Sequence, residues 1–223
     1  LYLLGIGLVG SDLLKQIERQ QQKLLEHDKL KINVVGISNS RKMIINPEGI
    51  NLNSYREELD KSAEKADINA LIRHMNELNL RNSVFIDCTA NEAVAGYYKN
   101  ILESFVSIVA ANKVACSSDY NLYTELKQLA KEKNVKFQYE TNVGAGLPII
   151  STINDLIRSG DEILRMEAVL SGTLNFIFNE LSEEIPLSKA IRLAKEKGFS
   201  EPDPRIDLSG IDVVRKLLIL SRE

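Results

Sequence analysis

The chain has 223 residues, which is enough for one large domain or two small ones, each with a hydrophobic core. Its 44% hydrophobic residues, 26% charged residues and formal net charge of −3 are typical of an ordinary soluble protein and favour neither a nucleic-acid nor a membrane partner. No apolar run approaches the ~20 residues that cross a bilayer. Two cysteines, Cys88 and Cys116, cannot form a disulfide framework, so we expect a reducing, cytoplasmic compartment.

The first predicted element is an apolar strand that leads into a glycine-rich turn and a long amphipathic helix from Ser11. The turn has the pattern G-x-G-x-x-G, in which the first glycine permits a tight turn, the second lets the backbone approach a pyrophosphate and the third lets helix and strand pack closely. The helix N-terminus attracts the anion. A glycine-rich turn without a ligand is the alternative, but the order of elements favours a dinucleotide site. Its predicted contacts are Gly5, Ile6, Gly7, Leu8, Val9 and Gly10.

The second predicted strand, residues 31–37, is followed by a turn rich in hydroxyl and cationic side chains. An NAD site usually has an acidic residue here for the ribose 2′-hydroxyl, whereas this turn contains Ser38, Arg41 and Lys42. Such a turn suits a 2′-phosphate, which favours NADP over NAD. The alternative is a solvated basic loop.

Further strands are predicted at residues 83–87, 106–110 and 136–140, with a loop at 46–53 and helices at 54–79 and 120–131. This alternation is typical of a doubly wound parallel α/β sheet. Thr89, Ala90 and Lys113 follow strand ends, where cofactors bind in such sheets. Cys88 could be a nucleophile, but a small structural residue is the favoured interpretation because no base adjoins it in sequence. The two histidines, His27 and His74, lie in charged surface segments, so proton transfer would fall to Lys, Tyr or a carboxyl group.

A second domain is predicted to begin near residue 144, after the segment Y-E-T-N-V-G-A-G-L-P. It contains predicted helices at 149–158, from Gly172 onward and at 187–197, and a strand at 162–170. The last segment, E-P-D-P-R-I-D-L-S-G-I-D-V-V-R-K, is predicted to resist helix formation at its prolines. Asp207 then caps a helix that begins near Leu208 and is buried, because it is apolar on most sides. Within it, Asp212 and Lys216 share one face, which indicates either a surface ion pair or a functional pair.

The motifs G-I-G-L-V-G, D-C-T-A, A-N-K, T-N-V-G-A-G-L-P, L-S-G-T-L, K-G-F-S-E-P-D-P-R and D-L-S-G-I-D-V-V-R-K-L-L-I-L occur in this order. Together they resemble homoserine dehydrogenase over essentially the whole chain, and in particular the dehydrogenase half of bifunctional aspartokinase/homoserine dehydrogenases. The resemblance implies a Rossmann-type cofactor domain at residues 1–143 and the first part of an α+β substrate and dimerisation domain at residues 144–223. It also implies reversible NAD(P)-dependent conversion of L-homoserine to L-aspartate 4-semialdehyde, in threonine and methionine biosynthesis.

The resemblance also implies roles for single residues. Lys216 matches the lysine that donates and accepts a proton, Asp207 a further active-site acid, and Lys113 a lysine near nicotinamide and substrate. The residues matched to the substrate site are Glu201, Asp212, Gly172 and Thr173. Gly198 matches a glycine at the cofactor, and a structural sodium site is matched by Glu140 with the carbonyls of Val143, Ala145 and Leu147.

The resemblance further implies a homo-oligomer and a covalently linked aspartokinase domain. Because the chain begins within an apolar run and ends directly after a helix, we expect it to be part of a longer protein. Two alternatives remain at this stage. One is a phosphorylating semialdehyde dehydrogenase, which needs a cysteine nucleophile and a histidine base, and the other is a non-catalytic fragment that binds NADP.

Overall fold

A computed structural model of the protein describes residues 1–200 and 203–223. The chain divides into two compact units, Leu1–Tyr139 and Glu140–Glu223, and the predicted boundary at residues 143 and 144 falls just after this division. Among the described residues, no helix combines the length and apolar character that crossing a membrane would require.

The first unit is built on a six-stranded sheet in the order β3-β2-β1-β4-β5-β6. Its strands are β1 (Tyr2–Leu4), β2 (Gly36–Ser38), β3 (Met43–Ile45), β4 (Val84–Asp87), β5 (Ser107–Ala110) and β6 (Phe137–Gln138). All neighbours pair in parallel except β2 and β3, which are antiparallel. The predicted Rossmann-type parallel sheet is therefore confirmed, with an antiparallel edge strand that the sequence did not predict.

Helices cover the sheet because a parallel sheet is apolar on both faces. In the first unit they are α1 (Leu8–Asp28), α2 (Tyr55–Lys61), α3 (Ile68–Leu78), α4 (Glu92–Ala95), α5 (Tyr98–Glu103), α6 (Val114–Ser117) and α7 (Tyr120–Glu132). The central strand β1 is almost wholly buried, and its Leu3 lies beside Ile37 of β2 and Ile86 of β4. This arrangement fixes the carboxyl ends of β1, β2 and β4 at one edge of the sheet.

The single helix predicted at residues 54–79 is wrong, because α2 and α3 are separate helices. Between them the chain turns back along the edge strand β3. The Ser62 hydroxyl donates to the Met43 carbonyl at 2.7 Å. The backbone of Lys65 pairs with that of Lys42 in an isolated antiparallel β-bridge. Asp67 then caps α3 by accepting a hydrogen bond from the Asn69 N–H at 2.8 Å. Long-range pairing therefore overrides the helical pattern here.

All regular elements described in the second unit are helical. A short 3-10 turn at Glu140–Asn142 precedes α8 (Ile149–Arg158), α9 (Gly172–Glu180), α10 (Leu187–Glu196), α11 (Pro204–Leu208) and α12 (Ile211–Arg222). Ile177 of α9 packs with Ala190 and Ala194 of α10 in a small core. The strand predicted at residues 162–170 is absent, since these residues adopt no regular structure and Leu164 is 87% exposed. A strand needs a neighbour to pair with, and none of the described residues of this unit supplies one.

The predicted organisation around the prolines also needs correction. Pro204 opens α11 at its first turn, where its missing N–H is no loss, and Asp203 caps this helix by accepting from the Arg205 N–H. Asp207 lies inside α11, and Gly210, with φ of +69°, caps α12 instead. Nor is α12 buried on most sides. Ile219 is fully buried, but Val214 is 61% exposed, so the helix is amphipathic.

Candidate functional site

The glycine-rich turn joins β1 to α1, and each of its three glycines has its own environment. Gly5 has φ of +92°, a conformation that favours glycine, and its N–H donates to the Ser38 carbonyl at 2.8 Å. A Cβ on Gly10 would lie 1.9 Å from the Gly5 carbonyl oxygen, so only glycine permits this packing. A Cβ on Gly7 would meet no atom within 4 Å. The backbone at Gly7 thus faces open space at the N-terminus of α1.

A cavity of about 830 Å³ opens beside this turn, at the carboxyl ends of β1, β2 and β4. This is where the strand order reverses, which is the usual position of a dinucleotide in an open α/β sheet. Of the residues predicted for the cofactor, those that line the cavity are Gly5, Ile6, Gly7, Ser38, Arg41, Thr89 and Ala90. Leu8 and Val9 lie next to it at the start of α1 and are 82% and 54% exposed.

The turn after β2 directs the side chains of Arg41 and Lys42, both predicted to contact the cofactor, to different places. The Asn39 carboxamide oxygen accepts hydrogen bonds from the N–H groups of Arg41 and Lys42, both at 2.7 Å, and so folds the turn. Arg41 is exposed and lines the cavity. The Lys42 ammonium instead donates to the Asp60 carbonyl, and Lys42 is not part of the cavity wall. The structure therefore brings Arg41, but not Lys42, to the cavity.

Two buried polar residues that the sequence did not single out support the opposite wall. The fully buried Asp87 carboxylate accepts from the Thr89 N–H at 2.8 Å, the Tyr98 hydroxyl at 2.7 Å and the Asn112 amide at 3.0 Å. Asn112 is 3% exposed and immediately precedes Lys113, which lies at the start of α6. Their position at the ends of β4 and β5 was the only signal in the sequence.

Cys88 lines the cavity, but its thiol is poorly suited to nucleophilic attack. Burial raises the pKa of this thiol to about 11, and the neighbouring Asp87 carboxylate acts in the same direction. Since the thiolate is the reactive form, the thiol is almost entirely protonated near neutral pH. This agrees with the interpretation of Cys88 as a structural residue.

In the second unit, α12 presents a close ion pair. The Lys216 ammonium is 2.7 Å from the Asp212 carboxylate one turn earlier, and it also donates to the Leu170 carbonyl at 2.7 Å. The Lys216 side chain is 19% exposed and that of Asp212 is 54% exposed. Asp207 is partly buried in the preceding α11, whereas Glu201 lies outside the described residues. Lys216 is thus a largely buried cation whose anionic partner, Asp212, is accessible to solvent.

The remaining predicted residues of this unit surround α9 and α10. Gly172 is the first residue of α9, and the Thr173 hydroxyl donates to the Phe199 carbonyl. Gly198, with φ of +73°, terminates α10 and turns the chain toward Phe199. The Thr173 contact therefore ties the N-terminus of α9 to the segment that leads to α11.

Comparisons with known proteins match both units. A family model described as homoserine dehydrogenase, NAD binding domain, matches residues 5–140, and one described as homoserine dehydrogenase matches residues 148–223. The chain belongs to the homoserine dehydrogenase family.

Some relatives are named as bifunctional enzymes and others simply as homoserine dehydrogenase. A bifunctional aspartokinase/homoserine dehydrogenase of Haemophilus influenzae is 44% identical over 100% of this chain and 27% of its own length. A homoserine dehydrogenase of Schizosaccharomyces pombe is 35% identical over 99% of this chain and 60% of its own length. A hyperthermophilic archaeal homoserine dehydrogenase solved in complex with NADPH matches with TM-score 0.80 and 29% identity, over 98% of this chain and 67% of its own. The chain thus spans about a quarter of the bifunctional relatives.

The homoserine dehydrogenase resemblance implies a cation near Glu140, and the residues there are compatible with one. Both Glu140 carboxylate oxygens accept hydrogen bonds at the N-terminus of α8, from the Ile150 N–H at 2.8 Å and the Ser151 N–H at 2.9 Å. Each oxygen retains a second lone pair. The turn at residues 143–147 contains Ala145 with φ of +53°. Its Val143 is 1% exposed, and its Leu147 carbonyl accepts one hydrogen bond from the Ile149 N–H at 2.9 Å. This all-oxygen set suits a hard cation. In the described part of the chain, no group of three or more His, Cys, Asp or Glu side chains is arranged so that it could hold a metal ion.

Proposed function

We propose that the protein is a homoserine dehydrogenase that interconverts L-homoserine and L-aspartate 4-semialdehyde with NAD(P). The observation that carries this proposal is the Lys216–Asp212 pair, 2.7 Å apart, in a chain whose two units both match the family. A cation that can exchange a proton and an anion that can hold an ammonium group are what this alcohol substrate requires.

The first unit holds the cofactor in this proposal. Gly7, where the backbone is open and α1 begins, would hold the pyrophosphate, and Thr89 and Ala90 would hold the nicotinamide side. We propose NADP as the preferred cofactor because Arg41 lines the cavity and suits a 2′-phosphate. Lys113 and the residues at the start of α1 complete the proposed contacts of this unit, and the family resemblance alone adds Gly198. Lys42 contributes to the local positive charge and not to direct contact.

The second unit binds the substrate. Asp212 and Glu201 would hold the homoserine ammonium group, and Lys216 would take the hydroxyl proton. A bound nicotinamide cofactor would supply the hydride acceptor. In the reverse direction Lys216 returns that proton to the carbonyl oxygen. Asp207, Gly172 and Thr173 surround this site. Since the Thr173 hydroxyl donates to the Phe199 carbonyl, it also fixes the chain at Phe199.

Three further features belong to the proposal. A sodium ion bound by Glu140 and the carbonyls of Val143, Ala145 and Leu147 would brace the turn before α8. A covalently linked aspartokinase domain is proposed from the bifunctional relatives, and a homo-oligomer from the resemblance alone.

The deciding experiment is an assay of the full natural chain for homoserine-dependent reduction of NADP. Activity with homoserine supports the proposal, and its loss on Lys216→Ala links the activity to this site. Phosphate-dependent oxidation of the semialdehyde without homoserine activity would instead indicate a phosphorylating dehydrogenase. Cofactor binding without turnover would indicate a non-catalytic protein.

A further inference from the structure

The buried residues Asp87 and Asn112 connect two loops of the first unit. Asp87 ends β4 and is fully buried, while Asn112 is 3% exposed and follows β5 by two residues. The Asn112 amide nitrogen donates to the Asp87 carboxylate at 3.0 Å. Because β4 and β5 are parallel neighbours, both residues lie at the carboxyl edge of the sheet, beside the cavity.

The donors around Asp87 require a carboxylate. One oxygen accepts from the Thr89 N–H at 2.8 Å, and the other accepts from the Tyr98 hydroxyl at 2.7 Å and from Asn112 at 3.0 Å. An ionised carboxylate accepts at both oxygens, whereas an amide in its place would turn an NH2 group toward one of these donors. Three donors on one buried anion also form strong, charge-assisted bonds.

The Asn112 side chain forms hydrogen bonds with the loop after β4 and with the loop that follows β5. Besides Asp87, its amide nitrogen donates to the Asn91 carbonyl at 3.0 Å, and its oxygen accepts from the Val114 N–H at 3.1 Å. We name residues 88–91 the β4 loop and residues 111–113 the β5 loop. The β4 loop lines the cavity, and the β5 loop ends at Lys113. A single buried side chain therefore holds one loop against the other.

We propose that Asp87 and Asn112 are positioning residues, which hold the nicotinamide wall of the cofactor site and Lys113 in one fixed arrangement. This inference rests on the proposed function, which assigns the β4 loop and Lys113 to the nicotinamide side. Neither residue needs to contact the cofactor. Asp87 fixes Thr89 through its N–H, and Asn112 fixes the end of the β4 loop through the Asn91 carbonyl. The glycine turn and Arg41, which serve the other half of the dinucleotide in this proposal, follow β1 and β2 instead.

The test compares the affinity for NADP⁺ with the affinity for adenosine 2′,5′-bisphosphate, which represents only the adenosine half of the cofactor. In the full natural chain, Asn112→Ala should weaken NADP⁺ binding roughly ten-fold, because a lost buried hydrogen bond to a charged partner has an effect of that order. Affinity for adenosine 2′,5′-bisphosphate, which lacks the nicotinamide half, should stay within about two-fold, and kcat for homoserine should fall at least as much as NADP⁺ affinity. Asn112→Ser, which keeps a small polar side chain, serves if the alanine variant folds poorly.

The control variant is Tyr123→Phe, which removes another buried hydroxyl, on α7 near Tyr139. It should lower the melting temperature without changing the ratio of the two affinities. If Asn112 variants weaken both ligands equally, or only lower the melting temperature, the positioning role is wrong. If the unaltered protein binds neither ligand, the proposed function fails and this inference fails with it.

Discussion

Lys216 and Asp212 are four residues apart on α12, and their charged groups are 2.7 Å from each other. The ammonium also donates to the Leu170 carbonyl, so Lys216 is anchored at two points while Asp212 stays more than half exposed. An exposed ion pair with no further role contributes less than about 1 kcal/mol. The arrangement is better suited to function: the accessible Asp212 carboxylate can bind an ammonium group, and the anchored Lys216 can exchange a proton beside it.

The first prediction concerns Lys216. In the full natural chain, Lys216→Ala should lower kcat for homoserine oxidation by about 10² to 10⁴-fold, because proton transfer to a positioned group contributes that much. NADP⁺ affinity, measured by fluorescence titration, should stay near normal. Lys189→Ala, which changes an exposed lysine on α10, is the control and should leave both values unchanged. A Lys216→Ala enzyme of nearly normal turnover would remove this lysine from the mechanism and direct attention to Lys113.

The second prediction is that Asp212→Ala acts mainly on substrate binding. Removing the carboxylate takes away an anionic partner of the homoserine ammonium, so KM for homoserine should rise by about ten-fold or more. Steady-state kinetics with saturating NADP⁺ measure this change. A mild loss of stability with unaltered KM would identify the pair as a surface ion pair only.

The third prediction uses Arg41 and Lys42 as a matched pair. Arg41 lines the cavity, whereas the Lys42 ammonium is held by the Asp60 carbonyl. Arg41→Ala should therefore weaken NADP⁺ by about ten-fold, the loss expected for a charge-assisted phosphate contact, and leave NAD⁺ affinity unchanged. Lys42→Ala should have a smaller effect on NADP⁺. Calorimetric titration that shows tighter NAD⁺ than NADP⁺ binding by the unaltered protein would refute this account of the turn.

The parts of the fold that the sequence predicted are those set by local patterns. The glycine spacing at residues 5–10 encodes a strand, a tight turn and a helix within a few residues, and the structure contains all three. The edge strand β3 was not predicted, because its three residues are defined only by their pairing with Gly36–Ser38. Likewise, the segment at residues 162–170 has the composition of a strand but pairs with none in the described residues.

In the candidate site, too, the sequence predicted features that depend on neighbouring residues and missed contacts between distant ones. Arg41 could be found from its place after β2, but the direction of Lys42 depends on Asp60, eighteen residues away in the chain. The contact between Asp87 and Asn112 joins residues 25 positions apart. Neither segment alone indicates this hydrogen bond. A carboxylate can be buried without a large loss of stability only when the fold brings hydrogen-bond donors to it.

The fourth prediction concerns the reactivity of Cys88. With its pKa raised to about 11, the thiolate fraction at pH 8 is roughly one in a thousand. Alkylation of Cys88 by iodoacetamide should therefore be slow at pH 8 and accelerate with rising pH. Mass spectrometry of the labelled peptide measures this, and Cys88→Ser should retain homoserine-dependent activity. Fast labelling at pH 7 together with loss of activity in Cys88→Ser would restore the cysteine as a candidate nucleophile.

The fifth prediction separates two roles of Glu140. Its carboxylate accepts two N–H groups at the start of α8, and glutamine could accept only one of them, so Glu140→Gln should cost about 1 kcal/mol of stability. If the proposed sodium ion is bound, replacing potassium by sodium should raise the melting temperature of the unaltered protein but not of the variant. Equal melting temperatures of the unaltered protein in the two salts would exclude the ion and leave the capping role intact.

The last prediction contrasts Gly7 and Gly10, which lie three residues apart and differ in what surrounds them. A Cβ at Gly10 would lie 1.9 Å from the Gly5 carbonyl oxygen, which is rigid backbone in the turn. Alanine is ordinarily favoured over glycine inside a helix by about 1 kcal/mol, but overpacking against backbone costs more, typically about 1 to 3 kcal/mol. We therefore expect Gly10→Ala to lower the melting temperature.

Gly7→Ala should behave in the opposite way. Its φ of −66° is open to alanine and an added Cβ meets nothing within 4 Å, so the melting temperature should be unchanged. The new methyl group would instead occupy the space through which the pyrophosphate approaches the start of α1, and NADP⁺ affinity should fall by about ten-fold or more. Thermal denaturation and cofactor titration of both variants test the pair together. Normal NADP⁺ affinity in a well-folded Gly7→Ala protein would show that the pyrophosphate does not lie at this turn.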